Sequence, residues 1–192
     1  MLFRSRSART RQAIIASYLE LVREKRDIPT CEQVAERARL SERVVFTHFA
    51  DREGLATAAF DLILSLNQMT PAGDKLTASR DVRIRFQVGL RARACETWMP
   101  LWRVASIGLN KSPEVSQRIA VVRERFKSRL ESMYAPELAT LEEPQRTATL
   151  IALDELTSFE GWARMREQYG LDYETACNSW IYTIDRLLPL AP

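Results

Sequence analysis

The stretch TCEQVAERARLSERVVFTHFADREGL, residues 30–55, constrains the fold more than any other part of the chain. It holds two short segments with helical apolar spacing, each opened by a hydroxyl residue, with almost nothing between them. Thr30 followed by Gln33 is a capping box: the hydroxyl accepts from a first-turn N–H while the amide reaches back to the cap. Val34, Ala35 and Ala38 form the inward face of this helix, which is expected to end near Arg39. Ser41 opens the second helix, and Leu40 is placed to staple onto Val45. Asp51 opens a third only two residues after Phe49. An earlier stripe, Ile14, Ile15, Tyr18, Leu19 and Val22, supplies an amphipathic helix to cover the pair. Two short helices, a turn of about three residues and a covering helix read as a helix-turn-helix.

In that motif the second helix enters the major groove and its N-terminal part meets base edges. Arg43 sits near the start of this helix and Thr47 lies one turn on, so both share a face pointing away from Val45 and Phe49. Arginine can donate two hydrogen bonds to guanine, and threonine offers a hydroxyl and a methyl. His48 and Arg52 stand where the chain leaves the groove, a position suited to phosphate contacts. Charge agrees. The first 60 residues hold eleven Lys and Arg against eight Asp and Glu, an excess equal to the +3 of the whole chain. Arg4, Arg6, Arg9 and Arg11 precede the first acid, Glu20, and make a basic arm that phosphate backbones attract.

Beyond residue 55 every strong periodicity is again helical. Leu55, Ala58, Ala59, Leu62, Ile63 and Leu66 form a stripe, and Pro71 and Gly73 in TPAGDKLTAS then interrupt it. Ser79 is expected to cap a helix carrying Val82, Phe86, Leu90 and Ala94. Pro100 is expected in the first turn of a new short helix, after a break near Trp98–Met99. Ser112 and Pro113 open another, with Val115, Ile119, Val122, Phe126 and Leu130. One long helix is expected from about Pro144 to Tyr169, closed by Gly170, and Asp172 caps the last, with Ala176, Trp180, Ile184 and Leu187. The expected fold class is all-α, with about nine helices and no strand.

Several function classes lose ground on composition. The three cysteines, Cys31, Cys95 and Cys177, are odd in number and far apart, as expected of reduced thiols in a cytoplasm. One histidine leaves no cluster at metal-ligand spacing, so no metal and no cofactor are expected. Six glycines form no phosphate-binding or nucleophile-elbow motif, so no catalytic residue is assigned and an enzyme is not expected. No apolar run is long enough to span a bilayer, and MLFRSRSARTR lacks the apolar centre of a signal peptide, so no membrane partner is expected.

The segment LSERVVFTHFADREGL resembles the signature of TetR-family transcriptional regulators, V-S-x-x-T-[LI]-Y-x-[HY]-F-x-x-K-E-x-L. Leu40, Ser41, His48, Phe49, Glu53 and Leu55 match directly or nearly, and Arg52 replaces a lysine. Three positions depart from it. The family's turn glycine is Arg39, which would be strained by about a kcal/mol or more if that position needs a positive φ. The family's threonine is Val44 and its tyrosine is Phe46, so two hydroxyls that face the DNA backbone in relatives are missing.

The resemblance implies a three-helix DNA-binding domain over 1–54 and a helical effector-binding and dimerisation domain over 55–192. The implied DNA-facing set is Arg4, Arg6, Thr30, Glu42, Arg43, Val44, Phe46, Thr47, His48 and Arg52, and the implied partner is a double-stranded operator. It also implies a small-molecule effector in the central helices. Phe86, Leu90, Trp98, Trp102, Phe126 and Trp162 are the expected lining, with Asp154 or Glu155 as a polar anchor. Few charges interrupt those stripes, so the effector is expected to be apolar or aromatic. A homodimer is expected through the last two long helices, with Leu150, Leu153, Thr157, Ser158, Gly161, Trp180, Ile184 and Leu187 at its interface. The implied activity is a cytoplasmic repressor released from its operator by ligand. The alternative is a helical ligand-binding or interaction protein of the same fold that no longer recognises DNA.

Overall fold

The computed structural model describes residues 6–25, 27–66, 72–108 and 112–190. Among them are ten α-helices and no strand: α1 Arg6–Lys25, α2 Cys31–Ala38, α3 Glu42–His48, α4 Arg52–Leu66, α5 Arg80–Arg103, α6 Pro113–Met133, α7 Ala135–Leu138, α8 Gln145–Leu156, α9 Phe159–Ala163 and α10 Tyr173–Leu187. A 3-10 turn, Gly73–Thr77, precedes α5. The chain divides into two compact units, one of residues 1–69 with 100–122, the other of residues 70–99 with 123–192.

In the first unit α1 packs on α2 and α4, and α2 on α3. Ile14, Tyr18 and Val22 of α1 are fully buried, as are Val34, Val45 and Ala59 from the other three. The local signals act as expected. Thr30 caps α2: Gln33 donates its backbone N–H to Thr30 Oγ1 at 3.2 Å, and Thr30 donates its own to Gln33 Oε1 at 3.1 Å. Asp51 Oδ1 accepts from Gly54 N at 2.7 Å at the start of α4. Ser41 holds the cap position of α3, but its side chain makes no cap hydrogen bond. Across the turn, Arg37 of α2 bonds Glu24 of α1 at 2.5 and 2.8 Å and Glu20 at 3.4 Å. This pairing draws the Glu24 carboxyl below the usual carboxylate range. Arg39 takes φ 56°, ψ 43°, the left-handed conformation that glycine adopts at least cost.

Two sequence expectations fail in the later helices. Pro100 does not begin a helix: it stands inside α5, and Trp98 and Trp102 share that helix. Proline removes one helical N–H and crowds the carbonyl four residues back; α5 tolerates both and gives way to a π turn, Val104–Gly108. The expected single helix from Pro144 to Tyr169 is broken at Thr157–Ser158. Ser158 caps α9, its Oγ accepting from Gly161 N at 2.9 Å. A Cβ on Gly161 would lie 2.9 Å from the Leu156 carbonyl oxygen, so the corner needs glycine. A π turn, Arg164–Gln168, follows α9, and Gly170 at φ 65° ends it. Pro113 does open α6 after Ser112, and Asp172 caps α10 by accepting from Thr175 N at 2.7 Å.

In the second unit α8 packs on α10. Its largest core side chains are Trp162 and Trp180, with ring centroids 4.7 Å apart, joined by Tyr173 at 5.7 Å from Trp162.

Candidate nucleic-acid interface and bundle interior

Helix α3 is seven residues long, and only Val45 is fully buried on it. Phe49, the residue after it, adds a second anchor; Arg11 of α1 lies over its ring at 4.9 Å. Those anchors fix the rotation of the helix. The opposite side turns Glu42, Arg43, Phe46 and Thr47 to solvent, with Val44 and His48 half-buried. Arg6, Thr30 and Arg52 are exposed as well. Arg4 lies outside the described residues. Among the described residues Arg43 and Arg52 enter no ion pair, whereas Arg37 of the preceding helix is held by two carboxylates. Arg43 therefore keeps its donors for an external acceptor.

Two details define the face further. Phe46 is 49% exposed, so this ring is presented rather than used as core. Thr47 Oγ1 donates to the Arg43 carbonyl at 2.8 Å, which leaves the methyl and the oxygen lone pairs facing outward. The face thus offers one guanidinium, one aromatic ring, one acceptor oxygen with its methyl, and one carboxylate. Arginine suits guanine, and apolar groups suit the thymine methyl.

The expected effector lining is dispersed. Trp162 is buried in the aromatic cluster with Tyr173 and Trp180, and its Nε1 donates to Glu96 Oε1 at 2.9 Å. Trp102 is buried in the first compact unit. Phe86, Leu90, Trp98, Phe126 and Asp154 are half-buried in the second. The interior also carries charge, which the apolar stripes did not indicate. Arg83, Gln87 and Arg91 recur every fourth residue on α5 and are all buried, as are Arg129 of α6 and Glu137 of α7. Arg83 Nη2 donates to Glu137 Oε1 and its Nη1 to the Ala78 carbonyl at 2.8 Å. Arg129 Nε donates to Gln87 Oε1 at 3.2 Å. Arg91 Nε donates to the Thr157 carbonyl at 2.6 Å, at the α8–α9 break. Its guanidinium stacks over Phe126 at 3.6 Å and Phe159 at 4.9 Å. Sequence reasoning missed this set because arginines every fourth residue read equally well as a solvated face.

The expected interface stripe is largely covered within one chain. Leu150, Leu153, Thr157, Trp180 and Ile184 are buried there; Ser158 and Gly161 are half-buried at the α8–α9 corner; Leu187 alone is exposed. The sides of α8 and α10 that do reach solvent carry Ile151 and Tyr182, exposed at 57% and 66%. Among the described residues no helix is long and apolar enough to cross a membrane, and no group of His, Cys, Asp and Glu could hold a metal ion.

No protein-family model matches the sequence, and no curated protein matches it. Solved structures do match its fold. A TetR-family transcriptional regulator from Streptomyces coelicolor superposes with a TM-score of 0.65 at 15% identity, over 93% of this chain and 80% of that one. NalD, the secondary repressor of the MexAB-OprM multidrug efflux pump in Pseudomonas aeruginosa, does so at 0.62 and 21% identity, over 96% and 98%. A Mesorhizobium loti protein assigned to the same family gives 0.57 at 14%, over 95% and 96%. The chain has the fold of these TetR-family regulators, with the all-α architecture and the N-terminal helix-turn-helix that its sequence implied.

Proposed function

We propose that this protein is a DNA-binding transcriptional regulator, not an enzyme, and that α3 reads the major groove. The observation that carries the reading is the outward face of α3: Arg43, Phe46 and Thr47 are presented together on a helix anchored by Val45 and Phe49, and Arg43 enters no ion pair with a described residue. Arg43 takes guanine; Phe46 and the Thr47 methyl take thymine methyls. Thr30, Glu42, Val44, His48 and Arg52 border this face, and Arg4 and Arg6 contribute sequence-independent attraction to the phosphates. Its domains are a DNA-binding part over 1–54 and an effector-binding and dimerisation part over 55–192. NalD is a repressor, and repression relieved by a small molecule is the sign of regulation proposed here. Ligand and DNA need only prefer different states of the protein.

The protein acts as a homodimer in the cytoplasm. The dimer seam runs along the exposed side of α8 and α10, through Ile151, Tyr182 and Leu187, rather than along the covered stripe behind it. Titration of labelled DNA from upstream of its own gene tests the reading. Nanomolar binding that an excess of unrelated duplex does not displace supports it, and equal competition by both contradicts it.

A second reading has its own support. Val44 and Phe46 lack hydroxyls, and Arg39 holds a left-handed conformation without glycine. A same-fold ligand-binding protein that had lost its operator would show these features and would compete equally with any duplex.

A further inference from the structure

Every arginine keeps its charge in a protein, so a buried one must find compensation. In the bundle of residues 72–99 and 123–190, Arg80 bonds Asp185 at 3.0 Å and Arg83 bonds Glu137. Arg91 is different. It is 5% exposed, and its partners are neutral: the Thr157 carbonyl and the faces of Phe126 and Phe159. Its Nη1 is buried with no hydrogen-bond partner in the protein. Burial pulls its guanidinium below the usual arginine range; the acids around it oppose this only through space, Asp154 on α8 and Glu160 on α9 without bonding it, and the Cys95 thiol stands one turn further along α5. A single buried, unshared charge is a costly thing to leave in a core. It is also what an anion receptor needs, because a charge-assisted bond away from water is strong and specific.

We propose that Arg91 receives the carboxylate of a small organic acid at Nη1, with the apolar body of the ligand against the half-buried ring of Phe126. This rests on the effector-responsive reading above and gives the effector its chemical class. One carboxylate fits better than a phosphate or a diacid. The two N–H groups of Nη1 match one carboxylate, and Asp154 and Glu160 make each added negative charge more costly. The rings of Phe126 and Phe159, whose centroids are 6.4 Å apart and nearly perpendicular, suit an aromatic or branched body rather than a sugar. Occupancy also reaches the α8–α9 corner, because the guanidinium that would hold the acid already holds the Thr157 carbonyl there.

The test uses the full chain without DNA and two matched pairs of probes: benzoate with benzamide, and phenylacetate with phenylacetamide, at constant ionic strength. Thermal unfolding is followed as each is titrated. A ligand at a hundredfold excess over its Kd raises the Tm of a chain this size by about 5–10 °C. The expected result is a concentration-dependent rise with at least one acid and none with its amide, lost in Arg91→Met, whose side chain is of similar length and apolar. Equal shifts with acid and amide, no shift with either pair, or an undiminished acid shift in Arg91→Met each overturn the proposal. The acid–amide contrast is read on the native chain, so it decides the matter whether or not Arg91→Met folds. Operator binding without an acid shift sinks this inference alone; an acid shift without operator binding sinks the regulator reading and leaves the anion site standing.

Discussion

The two compact units use arginine in opposite ways. In the first, α3 sends Arg43 into solvent and α4 sends out Arg52, while the core beneath is built from Ile14, Tyr18, Val34, Val45 and other apolar groups. In the second, α5 turns Arg83 and Arg91 inward and α6 adds Arg129. An outward arginine is a cheap charge waiting for an external phosphate or base. An inward one costs desolvation and is retained only where something bonds it. The contrast suggests a division of labour: recognition of a polyanion on one unit, and recognition of a small, buried anion in the other.

The contrast can be broken most severely at the inward pair. Glu137→Ala leaves Arg83 buried without its carboxylate, and is expected to cost about 3–5 kcal/mol in urea unfolding. The double change Arg83→Met with Glu137→Leu is expected to recover most of that loss, since both charges then leave together. A loss below about 1 kcal/mol in Glu137→Ala would mean that water reaches Arg83, and the inward reading of the bundle would fall.

Next in size is the corner that Arg91 ties. Gly161→Ala sets a Cβ 2.9 Å from the Leu156 carbonyl and 3.2 Å from Ser158 Oγ. Overpacking of this kind is expected to cost about 1–3 kcal/mol. A neutral substitution would show that α8 and α9 can part without loss.

In the first unit the expected effects are smaller and local. Thr30→Ala removes the hydroxyl half of the capping box and is expected to lose about 1 kcal/mol. Arg39→Gly relieves the left-handed strain at φ 56° and is expected to gain up to about 1 kcal/mol, partly offset by chain entropy. A destabilised Arg39→Gly would place the value of Arg39 in its side chain instead.

The same contrast explains what was legible in the sequence. The helix-turn-helix was readable because its signals are local: Thr30 with Gln33, Asp51 with Gly54, and apolar residues at helical spacing. The left-handed turn at Arg39 was foreseeable from the glycine it replaces. The bundle was legible as helices, and Ser112–Pro113 and Asp172 marked two starts. Its interior was not. Nothing within α8 announces a break at Thr157–Ser158; a serine inside a helical pattern is a weak signal until Ser158 caps α9 and Arg91 of α5 takes the Thr157 carbonyl. Pro100 reads as a helix start because proline favours first turns, yet it stands inside α5.

The central claim, that α3 reads DNA through Arg43, is tested most directly by operator titration with two variants at several salt concentrations. Arg43→Ala is expected to weaken binding to the cognate site by about 1–3 kcal/mol and to leave unrelated duplex nearly unaffected. Arg6→Ala with Arg9→Ala is expected to weaken binding to both alike and to flatten the salt dependence. Unchanged cognate affinity in Arg43→Ala, with folding intact, would contradict the account and assign the outward face of α3 to another partner.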